Sequence, residues 1–280
     1  MTQLTTNAAS ILKPEEVHAL IIQPLTMESV AMQASTVVRT GSHDYRIPLV
    51  TGDPDTSWTP EAAEIPLDEV DFGELTVTPK KAAGLTVVSN ELVADSSPEA
   101  TDIIGQRLVQ SLRRKVDSAW FAASTANGPD GLGSITPTDV YAGAGGFTNV
   151  DPFYEALAAA ENVGAKITTF VVNPDTALDL ARLKEGTGSN KNLLQPDPTQ
   201  PGRRVVAGVP LLVSPDAPVD VVWGIPKALA FAVVRKDAEV ALDSSPFFTS
   251  DRTAVRVTVR VAFGFPQPDA VVAVRVADAP

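Results

Sequence analysis

Residues 97–129 read SPEATDIIGQRLVQSLRRKVDSAWFAASTANGP. The stretch opens with Ser97, an N-cap residue type, then Pro98 at the first helical position and Glu99 in the first turn, where an acid meets the positive end of the helix dipole. It closes on Asn127-Gly128-Pro129, a combination at which helices stop. Between these signals Ile104, Leu108, Leu112, Val116 and Trp120 recur at every fourth residue, and Val109 and Ala119 widen the stripe. A helix of ~29 residues rising ~1.5 Å each is a rod of ~40 Å. Gln106, Arg107, Gln110, Arg113, Arg114, Lys115 and Asp117 interrupt it, so it is too polar for a membrane span. Periodicity alone fits an ordinary amphipathic core helix; the length fits a spine on which other segments are hung. The flanking segments decide between the two.

Upstream, residues 44–90 predict two strands and a long connection. Tyr45 to Val50 runs out; Leu75 to Thr78 and Leu85 to Val88 return, with Pro79 demoting the returning strand to a sheet edge. The connection from Gly52 to Glu74 carries Asp53, Asp55, Glu61, Glu64, Asp68, Glu69, Asp71 and Glu74 and holds no Lys or Arg. An acidic block of this kind is ordinarily a solvated loop. A loop this long is uncommon without a function, and Trp58, Ile65 and Leu67 within it point to docking on a surface. Further upstream, residues 1–40 read as an arm. Thr2 to Asn7 is loose, and a short helix starts at Pro14-Glu15-Glu16 and stops at Pro24. Such a segment is too short to hold a core of its own, so it lies on its own body or on a neighbour.

Downstream, Gly128 to Gly146 reads as a Gly-rich hinge; Gly143-Ala144-Gly145-Gly146 lacks the spacing of a phosphate-cradling loop. A small α/β layer follows. Asp151-Pro152 caps a helix reaching Val163, Thr168 to Val172 is a strand, and Asn173-Pro174-Asp175 caps a helix ending near Glu185-Gly186. Val205 to Val213 and Val219 to Trp223 read as strands, and 186–203 as a polar loop between. Ala228 to Val234 is apolar throughout and predicts a strand buried on both faces. From Arg252 to Phe265 the pattern alternates: Val255, Val257, Val259, Val261 and Phe263 face one way and Arg256, Thr258 and Arg260 the other. Ala270 to Val276 is the last strand.

Composition narrows the function classes. The 280 residues contain no cysteine, which removes disulfides, thiolate metal sites and cysteine nucleophiles together. Net charge is −12, a surface that repels phosphate backbones and argues against nucleic-acid binding as the main task. No basic start followed by an apolar run marks a signal peptide, and the longest apolar run is strand-sized, so a cytosolic soluble protein is expected. His18 and His43 stand without a nucleophile or metal-ligand partner at a usable spacing, and both read as surface or packing residues. GxSxG and HExxH patterns are absent. The acids cluster in one hydrated loop rather than in the two contrasting environments an acid/base pair needs. No catalytic, cofactor-binding or metal-ligating residue is therefore assigned.

In the second half of the chain a succession of short motifs becomes recognisable. Asn173-Pro174-Asp175-Thr176 follows Phe170-Val171-Val172; Leu193-Leu194-Gln195-Pro196-Asp197-Pro198 comes next, then Ala207-Gly208-Val209-Pro210-Leu211-Leu212-Val213-Ser214. Trp223-Gly224 precedes a strand, and Ser250-Asp251-Arg252-Thr253-Ala254-Val255-Arg256 leads to Arg260. Order and spacing over roughly residues 40–280 resemble the major capsid proteins of tailed bacteriophages with the Hong Kong ninety-seven (HK97-like) fold. The resemblance implies an α+β protein with an N-terminal arm (1–40), an extended β-hairpin loop with flanking strands (41–90), a peripheral domain (91–128 and 226–268) with spine helix 97–127, and an α/β axial domain (129–225) to which 269–280 can return. It implies a structural role: copies assemble into hexamers and pentamers that close an icosahedral head around DNA, in the virion capsid, after assembly in the host cytoplasm. The chain itself is then the main partner. Separate scaffolding, portal and decoration proteins are open, packaged DNA is touched weakly and without sequence preference, and no membrane or cofactor is involved.

Two departures from that family matter. Met1 stands only about forty residues before the first predicted strand, so a scaffold is expected as a separate protein. Some members cross-link a lysine of the extended loop to an asparagine of a neighbour. Here Gly52 to Pro79 contains no Lys and no Asn follows Asn192, so a non-covalent shell is expected. The subunit-contact candidates are Trp58, Glu61, Glu64, Ile65, Leu67, Asp68 and Glu69 on the loop, facing Arg252, Arg256 and Arg260 of the long strand or Arg113, Arg114 and Lys115 of the spine. The competing view of these arginines is a solvated face, or one near packaged DNA. Two other readings stay open: an encapsulin-like nanocompartment shell around a cargo enzyme, and a monomeric acidic α/β binding protein.

Overall fold

In a computed structural model of the chain the described residues are 29–52, 58–60, 71–90, 98–143, 145–186, 188–194, 204–235, 239–243 and 245–277. In order they form α1 (Val30–Ala34), β1 (Thr36–Thr40), β2 (Tyr45–Gly52), β3 (Asp71–Val77), β4 (Lys80–Ser89), α2 (Pro98–Phe121), β5 (Thr138–Tyr141), α3 (Asp151–Asn162), β6 (Thr169–Val172), α4 (Pro174–Arg182), β7 (Val205–Val206), β8 (Val209–Val213), β9 (Val221–Ile225), β10 (Phe231–Arg235), β11 (Glu239–Asp243), β12 (Arg252–Gly264) and β13 (Val272–Arg275). The cap expected at Ser97 and the helix expected between Pro14 and Pro24 lie outside the described residues.

The spine helix α2 has 24 residues and spans about 36 Å at the standard rise. Its stripe follows the predicted period from Leu108 onward: Leu108 is half-buried and Val109, Leu112, Val116, Ala119 and Trp120 are buried. It ends at Phe121 rather than at Asn127, because the following loop folds back over the last turn. The Gly131 N–H donates to the Ala122 carbonyl at 3.0 Å. A Cβ at Gly131 would stand 2.3 Å from the carbonyl oxygens of both Ala119 and Trp120, so only glycine permits that approach.

β12 is the centre of a five-stranded sheet. It pairs antiparallel with β4 along Arg252–Val261 and, on its other edge, with β11 and β10; β1 joins β10 in parallel. Residues 36–40, read from the sequence as arm, are therefore a sheet strand, as the β-branched Thr36-Val37-Val38 favours. Pro79 does not demote one returning strand to an edge. It divides two strands, since β3 pairs with β2 while β4 pairs with β12. Lacking an N–H, proline suits the point where the chain leaves one ladder for another.

The second sheet has the order β5-β13-β9-β6-β8-β7, so the last strand lies between β5 and β9. Val205 to Val213, expected as one strand, is a tight hairpin: Ala207 (φ 50) and Gly208 (φ 78) make its two-residue loop in the left-handed region. The cap of α3 is Val150, not Asp151, whose N–H instead donates to the Asn149 side chain at 3.2 Å. Asn173 caps α4 as expected, accepting from the Asp175 N–H at 3.0 Å, and the helix ends at Arg182, short of Glu185-Gly186.

The layers follow from which face each strand buries. Phe170, Val172, Val222, Val272 and Val274 pack under Phe153 and Ala156 of α3 and Leu180 of α4, with Phe153 edge-on to Phe170 at 5.2 Å. The opposite face, with Val171, Trp223 and Ala273, joins Leu112, Val116 and Trp120 of the spine, Ala31, Met32 and Ala34 of α1, and Val257, Val259 and Val261 of β12 in a single core. The spine thus ties the two sheets together.

Candidate subunit-contact surfaces

Among the described residues the β2–β3 ribbon is seated at its base. Ile47 and Val77 pack on Val233 of β10 and Ala262 of β12, with Tyr45, Leu75 and Phe231 at the rim. Gly264 admits them: a Cβ there would stand 2.8 Å from Ile47 Cδ1 and 2.9 Å from Val77 Cγ2. The root is pinned by Thr78 Oγ1, which donates to Asp44 at 2.6 Å; that bond, with His43 beside it, holds the Asp44 carboxyl below its ordinary range. Two strands alone are marginal in water. The far face of this ribbon carries an exposed Arg46–Glu74 pair at 3.3 Å and Phe72, 76 % exposed; Trp58 is fully exposed at 103 %. Glu61, Glu64, Ile65, Leu67, Asp68 and Glu69 lie outside the described residues.

The long strand presents its arginines as the alternation predicts. Arg252 and Arg256 are exposed and Arg260 is half-buried, on the face turned away from α2. Spaced four residues apart, they stand about 13 Å from one another. Register with β4 sets Leu85 opposite Arg256, Lys81 opposite Arg260 and Val87 opposite Ala254. Leu85 is 66 % exposed and Val87 also lies open, so this outer face alternates basic and apolar groups. At its margin Asp243 has its carboxyl lowered, first by the Ser245 hydroxyl and N–H and then by the charge of Arg256. Asn90 latches the end of the β4–β12 pair, donating to Asp251 at 2.8 Å and accepting from Thr253 at 2.6 Å.

Arg114 and Lys115 are exposed on the spine and Arg113 is half-buried. They are not brought together with the β12 arginines: Val257, Val259 and Val261 meet the helix, so Arg256 and Arg260 point away from it. The two basic sets are separate surfaces on opposite sides of the sheet. From Arg107 to Phe121 of α2, the stretch that carries Arg113, Arg114 and Lys115, no large apolar side chain is exposed.

A polar site that the sequence reading missed lies between α1 and the spine. Asp117, read as one of the residues interrupting the stripe, is 3 % exposed. Its Oδ1 accepts from the Ser29 hydroxyl at 2.6 Å and the Ala31 N–H at 3.0 Å, and its Oδ2 faces the Val30 N–H at 3.4 Å. Burial raises its carboxyl above the ordinary range against the pull of these donors, with Asp216 adding to the rise. The available signal was Ser29, a capping residue type, ahead of the short apolar run Val30-Ala31-Met32.

Among the described residues no group of three His, Asp or Glu is set to hold a metal, and no helix is long and apolar enough to cross a membrane. A groove of about 670 Å³ between α1 and the β8 edge has Arg204 as its one charged described lining residue.

Comparison with known proteins agrees with this architecture. The family model described as "Phage capsid family" matches residues 9–276. The capsid polyprotein of Pseudomonas phage PAJU2 is 26 % identical over 157 residues, covering 51 % of this chain and 23 % of the polyprotein. The chain thus spans about a quarter of that relative's length. Among solved structures, the capsid of a native GTA particle computed with C5 symmetry is similar over 99 % of this chain and 95 % of its own, with a TM-score of 0.71 at 18 % identity. A chain from Mycobacterium phage Adephagia is similar over 90 % and 91 %, with a TM-score of 0.72 at 16 % identity. At these identities the structural likeness speaks to the fold.

Proposed function

The chain belongs to the phage capsid family and is a structural protein of the phage head with the HK97-like fold, and from that premise we propose how its copies complete one another. The acidic connection of one copy, with Glu61, Glu64, Asp68 and Glu69, lies across Arg252, Arg256 and Arg260 on the outer sheet face of the next. Trp58, Ile65 and Leu67 meet Leu85 and Val87 there. The observation that carries this reading is a pair of exposed halves: Trp58 and Phe72 bare on or beside a two-stranded ribbon, and Leu85 bare beside an arginine on the sheet. Over Arg107–Phe121 the spine cations offer charge without an exposed apolar landing, which favours the sheet face over them.

Exposed ion pairs contribute about 0–1 kcal/mol each, so the charges set register while buried apolar area supplies most of the affinity. Repeated around symmetry axes, the contact builds hexamers and pentamers that close an icosahedral shell around DNA. A net charge of −12 fits a weak, non-specific contact with that cargo. Without a lysine from Gly52 to Pro79 the shell is held non-covalently. Scaffolding, portal and decoration proteins are further partners consistent with this role. The nanocompartment and monomer readings are not favoured beside a family match over residues 9–276.

The test is charge reversal with compensation. Glu64→Lys with Glu69→Lys is expected to cut assembly yield several-fold, read by sedimentation and electron microscopy. Adding Arg256→Glu and Arg260→Glu to the same chain should restore it. Unchanged yield in the double variant refutes the pairing.

A further inference from the structure

The five residues of α1 are too few to form a helix unaided, yet Ala31, Met32 and Ala34 are wholly or almost wholly buried. Its N-terminal N–H groups can be accounted for one by one. Those of Val30 and Ala31 turn to Asp117, that of Met32 donates to Ser29 Oγ at 3.3 Å, and that of Gln33 donates to the Ser29 carbonyl at 3.0 Å. The Ser29 hydroxyl is itself donated to Asp117. One carboxylate from the spine, directly or through Ser29, thus serves three of the four donors that a helix start leaves open. β1, which follows, is held independently by its register with β10 from Thr36 to Thr40.

We infer that Asp117 is the positioning residue for α1: it clasps α1 to the spine and holds its first turn closed. α1 then opens and closes as its own unit, with β1 and the spine staying in place.

Amide hydrogen exchange on the purified full chain tests this. In Asp117→Ala, exchange at Ala31, Met32 and Gln33 is expected to quicken about a hundredfold, while Thr36–Thr40 and Leu112–Trp120 change by less than about threefold. Asp117→Asn keeps a carbonyl oxygen for Ser29 and Ala31 and should stay within about tenfold of the parent. Unaltered α1 protection in Asp117→Ala overturns the inference. So does a uniform loss across spine and sheet, or an Asn variant as damaged as the Ala one. Should Asp117→Ala fail to fold, Ser29→Ala replaces it, with about tenfold faster exchange at Met32 expected and no change overturning the inference.

Discussion

Truncating Leu85 to alanine separates assembly from folding. Leu85 lies on the outer face of β4, 66 % exposed, so most of its side chain contributes nothing to the isolated chain. Full burial of a leucine stabilises by about 1.5–3 kcal/mol, of which roughly two-thirds remains available when a second copy covers it. Alanine keeps the Cβ, leaving a loss of about 1–1.5 kcal/mol for each copy. The proposed contact uses this face once per copy, and about 1.4 kcal/mol is tenfold in an equilibrium constant. The protein concentration at which particles first appear should therefore rise about five- to tenfold. Light scattering over a concentration series, with electron microscopy of each point, measures it. The melting temperature of the unassembled chain should stay within about 1 °C of the parent, because surface changes of this kind fall within about 0.5 kcal/mol. Particles appearing at the parent concentration would show that no partner covers Leu85 and would sink the sheet face as landing surface.

Two further outcomes follow from the interior. Gly131→Ala drives a methyl group into the backbone at the end of the spine helix, 2.3 Å from two carbonyl oxygens, and should lower stability by at least about 3 kcal/mol in urea unfolding. Asp117 gives a pH dependence whose sign can be fixed. Its folded carboxyl titrates above the ordinary value of 3.8, so between those two pH values the folded state binds more protons than the unfolded one. Stability contributed at this site therefore rises as pH falls through that window. Measured as the parent minus Asp117→Asn, urea unfolding stability should increase toward acid; a difference that is flat or of opposite sign refutes the assignment.

The spine stripe and the alternation of Arg252 to Phe263 were legible in the sequence because each depends on a local period, 3.6 or 2, that burial on one face enforces. The end of the spine was not, since Phe121 is the last turn only because Gly131, ten residues on, lays its backbone against it. Asp117 was misread for a related reason. A carboxylate beside an apolar stripe looks the same whether water or Ser29 supplies its donors, and Ser29 is far away in the chain.

Leu85 was read as a strand residue and never as a site, and the cause bears on how such surfaces arise. Within β4 it could face either side, and a slip of one residue in pairing would bury it against the spine with Gly84 exposed instead. What selects the side is the register of β4 on β12, where Gly84 faces the helix, its added Cβ only 3.7 Å from Leu108 Cδ2, and Leu85 is left opposite Arg256. The register thus leaves a leucine facing outward, beside a cation that keeps the patch hydrated in the lone chain. In the proposed contact the same arginine aligns the acidic connection of the next copy before the leucine is covered. On the proposed contact, Phe72, bare on the ribbon, and Trp58, bare in the connection after β2, are the apolar groups that would cover this leucine.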